Sequence, residues 1–95
     1  MAAHLRQYTI NKGQMDQWIA HFNEKLVPLM SAHGMSVKSS WTNVDRTEFI
    51  WIREYRDGDI DACEKSFYGS DEWNEIDDFT RAMLAKIEVK VIESA

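Results

Sequence analysis

Basic and aromatic side chains alternate at two places in this 95-residue chain: Arg6 with Tyr8, and Trp51 with Arg53 and Tyr55. A spacing of two puts each set on one face of an extended strand. Such a face can line a pocket in which a guanidinium holds an anionic or carbonyl oxygen. The same pattern also suits ordinary sheet core with the arginine heads snorkelling to its rim. Arg6, Tyr8, Trp51 and Arg53 are the ligand-pocket candidates. If both strands are central in one sheet, two guanidiniums meet under whatever covers it. An anion, an acidic side chain or solvent must then answer them. The expected occupant is an apolar ring with a carboxylate, phenolate or carbonyl. Its ring would stack on Trp51, and its oxygen would meet an arginine with help from the Tyr8 hydroxyl. Glu48, Glu54 or a carboxylate of a second copy could instead pair the arginines and leave no space.

Other chemistry is poorly supplied. The histidines are His4, His21 and His33, and no two have the i, i+4 spacing of a helical metal site. The lone Cys63 cannot build a zinc tetrad, so no metal is expected. Asp61 and Glu64 beside that cysteine disfavour its thiolate, which predicts an inert, packed thiol. Asp57-Gly58-Asp59-Ile60-Asp61 opens like a calcium loop, but Ala62 and Tyr68 occupy the positions that need Gly and Glu. The glycines stand alone at 13, 34, 58 and 69, so there is no phosphate-cradling loop and no cofactor is expected. For oxygen or isomerase chemistry, His33 is the nominated base.

These residues need elements to hold them. His4 to Ile10 alternates as a first strand, broken at Asn11-Lys12-Gly13. Met15, Trp18, Ile19, Phe22, Leu26, Leu29 and Met30 then form one helical stripe. Pro28 inside it predicts a kink or an early end, and Gly34 offers a left-handed C-cap. Met35, Val37, Ser39 and Trp41 alternate as the buried side of a second strand, followed by a turn over Asn43 to Thr47. Phe49 to Ile52 is apolar without alternation, which marks a central strand covered on both faces. A short helix with Cys63, Phe67 and Tyr68 inward follows Asp59 and closes at Gly69. Ser70 caps another, with the stripe Trp73, Ile76, Phe79 and Met83. Lys86 to Ile92 alternates as the last strand.

The order βαββαβ is the ferredoxin-like pattern, α+β, with a four-stranded antiparallel sheet and helices on one face. Residues 1–95 make a single domain, since no linker or repeat divides them. Helices on one face leave the other side of the third strand bare, and a second copy of the chain is the simplest cover.

Charge and composition exclude several classes. Residues 57–78 hold nine acidic side chains and one basic, Lys65, for a net −8 against +3 elsewhere. That segment is a solvated helical face or a docking surface for a basic partner. The overall −5 argues against nucleic acid. No apolar run is long enough for a membrane span, and Met1 to His4 leads directly into patterned sequence, so no signal peptide is expected. One cysteine fits a reducing cytoplasm.

Four segments carry a family resemblance: LRQYTI (5–10) with the Gly13 turn, LVPLMSAHG (26–34), FIWIREY (49–55) and FYGSDEW (67–73). Together they resemble a NIPSNAP-type domain of the dimeric α+β barrel superfamily and span nearly the whole chain. Lys12 stands where that family usually has proline. The resemblance implies a ferredoxin-like protomer that dimerises through its sheet, with a pocket between sheet and helices. Activities across the superfamily include cofactor-free monooxygenation of aromatic compounds, lactone isomerisation and haem degradation. Nothing in this chain reproduces the Asn/Trp/His set of the haem degraders. The expectation is a homodimer that binds a small apolar or aromatic ligand, anionic or neutral. The alternatives are a non-enzymatic interaction module using residues 57–78, or a cofactor-free monooxygenase or isomerase.

Overall fold

In the computed structural model, which describes Met1–Ala95, alternation sets in at once and forms strand β1, Ala2–Ile10. Gly13, at φ +80°, turns the chain into helix α1, Met15–His21. The helix does not break at Pro28. One turn, Phe22–Leu26, widens to π geometry, and helix α2 runs on over Val27–Ala32. Pro28 falls in the first turn of α2, where its missing donor costs little. The wide turn keeps Trp18, Phe22, Leu26 and Met30 on one buried stripe.

Gly34, at φ +84°, leads into β2, Met35–Thr42. The Asn43 side chain closes the following turn by accepting from the backbone N–H groups of Thr47 and Glu48, both at 2.9 Å. Strand β3, Glu48–Tyr55, then returns. Helix α3, Ile60–Tyr68, is capped by Asp59, whose carboxylate accepts from the Ala62 N–H. Helix α4, Asp71–Ala82, is capped by Ser70 accepting from the Trp73 N–H. Strand β4 covers Leu84–Glu93.

The sheet order is β2-β3-β1-β4, all antiparallel, so β3 and β1 are the central pair. This is the ferredoxin-like α+β arrangement. Helices cover one face, where Trp18, Phe22, Phe49 and Trp51 meet edge-on at centroid distances of 4.8–5.8 Å.

Two expectations are corrected. Trp41 does not share a face with Met35 and Val37. Val37 pairs with Arg53 but Ser39 pairs with Ile52, so Lys38 is an extra residue. Such a bulge sends every later side chain to the opposite face. Trp41 therefore lies beside Ile50 on the bare face, 66% exposed. In α4 the inward position is Thr80, not Phe79, which is 52% exposed. Thr80 can be buried because its hydroxyl donates to the Ile76 carbonyl and meets His21 Nε2, both at 2.7 Å.

Candidate functional site

The central pairing sets Arg6 directly opposite Trp51, and His4 opposite Arg53. Alternation on the two strands then brings His4, Arg6 and Tyr8 together with Trp51, Arg53 and Tyr55 under the helices, all of them buried. Arg6 Nε donates to the Tyr8 hydroxyl and Arg53 Nε to the Tyr55 hydroxyl, each at 2.7 Å. The two guanidinium carbons lie 5.8 and 5.6 Å from the Trp51 ring centre, so that ring serves both cations.

One carboxylate answers them, and it is neither Glu48 nor Glu54. Glu64, reaching down from α3, accepts from Arg53 Nη2 at 2.6 Å. Its distance to Arg6 Nη1 is 3.9 Å, too long for a hydrogen bond. Arg6 Nη1 instead donates to His4 Nδ1 at 3.1 Å. Tyr55, whose oxygen already accepts from Arg53, can donate its proton to the same nitrogen at 2.8 Å. His4 Nδ1 is thus an acceptor, which requires the neutral ring with its proton on Nε2. Burial, then repulsion from Arg6, lowers the His4 pKa below 6.5, in agreement with that tautomer. Burial raises the Tyr8 hydroxyl pKa and pushes that of Tyr55 up to about 12, so both remain donors at neutral pH.

Beside these groups is a cleft of about 70 Å³, lined by Arg6, Tyr8, Trp51 and Arg53 from the sheet and by Trp18 and Trp73 from the helices. Trp18 and Trp51, two of the lining residues, have buried indole Nε1–H groups without a partner. Arg6, Arg53 and Arg81 all line the cleft, Arg81 being paired with Asp77, and no carboxylate is among the lining residues, so the cleft suits an acceptor oxygen or an anion. It does not have room for a ring, because even an apolar cavity that takes up benzene is about 150 Å³. A ring stacked fully on Trp51, as the strand pattern suggested, does not fit the cleft as it stands.

His33 does not join the cluster. It lies at the end of α2, with its Nδ1 2.6 Å from the Ser66 hydroxyl, and does not line the cleft. His4, Glu64 and Trp18 lie at the site without having been candidates from the sequence, and Tyr55, part of the alternating set, joins them. His4 was findable, as it continues the Arg6, Tyr8 alternation by one step. Glu64 was not, because only the packing of α3 over the sheet turns it inward.

The acidic segment divides by task. Asp59 caps α3, Glu64 pairs with Arg53, Asp71 and Glu72 sit in the first turn of α4, and Asp77 pairs with Arg81. No three His, Cys, Asp or Glu side chains come together as a metal site. No helix is long and apolar enough to cross a membrane.

No family model and no curated protein sequence matches the chain. Solved structures do. A NIPSNAP-domain protein from Burkholderia xenovorans superposes with a TM-score of 0.86 at 14% identity, over 100% of this chain and 95% of that one. A NIPSNAP family protein of unknown function from Agrobacterium tumefaciens str. C58 gives 0.86 at 13% identity, over 100% and 88%. A putative antibiotic biosynthesis monooxygenase from Nitrosomonas europaea gives 0.74 at 8% identity, over 99% and 98%. The NIPSNAP resemblance seen in the sequence therefore holds in three dimensions: this chain has the fold of the NIPSNAP-domain proteins.

Proposed function

We propose that this protein binds a small organic anion, with the charged oxygen held in the cleft between the helices and the sheet. One observation carries the reading: two buried guanidiniums share one carboxylate, and Arg6 has no close anionic partner. A buried cation compensated only by a distant, shared carboxylate is costly, and a bound carboxylate or phenolate would lower that cost. The apolar or aromatic body of the ligand stays at the mouth, since the cleft admits only the polar end. Binding is preferred over oxygen or isomerase catalysis because His33, the base nominated for that chemistry, does not line the cleft.

The test compares benzoate with benzamide by calorimetry. Arg6→Ala should weaken benzoate at least tenfold more than benzamide, about 1.4 kcal/mol of selective loss. Arg6→Gln, which keeps most of the volume, should do the same if Arg6→Ala folds poorly. Equal loss for both ligands would assign Arg6 a purely structural role and end the reading.

The second element of the proposal is a homodimer through the bare sheet face. Leu5, Ile50 and Ile52 are half-buried there with no helix above them, and Trp41 is turned onto the same face by the bulge. A second copy would cover this apolar strip with the same strip, as two-fold symmetry requires.

A further inference from the structure

We propose that the bound anion is an amphiphile whose aliphatic chain lies along Ile87, Val89 and Val91 of β4. This rests on the reading above that the cleft holds an anionic head. Antiparallel pairing places Ile87 beside Tyr8, Val89 beside Arg6 and Val91 beside His4. The three β1 residues are buried, but their β4 neighbours are 42%, 45% and 65% exposed. The helix layer thus stops over β1 and leaves an apolar row along the edge strand.

The row is selective in its chemistry. Edge strands are ordinarily blunted by charge. Here Lys86, Glu88 and Lys90 all alternate onto the opposite, bare face of the sheet, and the helix-side row is aliphatic from Ile87 to Val91 and ends at Glu93, which pairs with the Met1 amine. One end of it enters the site, because Ile87 lines the cleft together with Arg6 and Tyr8. An anionic head at Arg6 therefore has a continuous apolar path leading out from it.

The dimensions favour a chain over a ring. The cleft, at about 70 Å³, takes a carboxylate but not a hydrocarbon body. The apolar row is one strand wide and runs about 13 Å from Ile87, at the cleft, to Val91, so that Val89 and Val91 lie outside it. A linear hydrocarbon matches that shape, and the net positive charge at Arg6 and Arg53 complements its anionic end.

The experiment titrates the full chain with sodium butanoate, hexanoate, octanoate and decanoate, with octanamide as the neutral analogue. Affinity should rise about twofold per added methylene, roughly half of what full burial would give. Val89→Thr with Val91→Thr should flatten that rise and leave butanoate unchanged. Val91→Thr alone, at the most exposed position, should flatten its far end and serves if the double variant folds poorly. Equal affinity for butanoate and octanoate would overturn the chain placement while leaving the anion cleft intact. Binding of octanamide as tight as octanoate, or of no alkanoate at all, would remove the cleft reading as well. A change of oligomeric state in the double variant, with the chain-length slope unaltered, would assign the row to a second copy and overturn the proposal.

Discussion

His4 and His21 are both buried and both bonded through a ring nitrogen, His4 to Arg6 and Tyr55, His21 to Thr80. Burial holds both pKa values below 6.5, reinforced by Arg6 for His4 and Lys25 for His21. Just below pH 6.5 the unfolded chain therefore binds more protons than the folded one. Stability must rise with pH across that window and be lost as pH falls through it. Urea melts between pH 7.5 and 5 should show this loss, and His21→Gln should shrink it. Unchanged stability down to pH 5 would contradict the neutral histidines. At the alkaline end the sign reverses. Tyr55, pushed up to about 12, keeps its proton when an unfolded tyrosine near 10 has lost it. Stability should therefore fall as pH rises from 10 towards 12.

The helices illustrate how one residue alters a whole element. Trp73 is buried at the start of α4 and packs against Phe67 and Tyr68 at 5.1 and 5.4 Å between ring centres. Trp73→Ala should cost roughly 3–5 kcal/mol, as for other buried aromatic truncations. Phe79 on the same helix is half exposed, and Phe79→Ser should cost less than about 1 kcal/mol. Denaturant melts of the pair give the comparison. Similar losses would mean that the inward face runs through Phe79, as simple i+3 counting had suggested, and not through Thr80.

For the whole molecule, the decisive surface is the bare side of the sheet. Burying about 800 Å² on each partner is ordinary for a specific dimer. Light scattering at micromolar concentration should give twice the chain mass, and thermal stability should fall on dilution. Ile50→Lys should yield a monomer, since it puts a charge in the middle of the strip next to Trp41. A monomer in the unsubstituted protein, with stability independent of concentration, would remove the dimer.

Much of this was already determined by local sequence. Alternation in residues 4–10 and 86–92, the apolar run at 49–52, the caps at Asp59 and Ser70, and the stop at Gly34 act between near neighbours, so the six-element order could be read directly. The central placement of β1 and β3 followed from that order, whereas the strand register decided that Arg6, Tyr8, Trp51 and Arg53 meet on the helix-covered face. Tertiary structure decided the rest because it depends on partners distant in the chain. Only the pairing of β2 with β3 reveals the extra residue Lys38, and with it the outward turn of Trp41. Only the docking of α3 makes Glu64, rather than Glu48 or Glu54, the counter-ion of Arg53. The cleft volume is likewise a matter of packing: the helix layer covers β1, leaves Val89 and Val91 open, and narrows the space beside Arg6 to about 70 Å³.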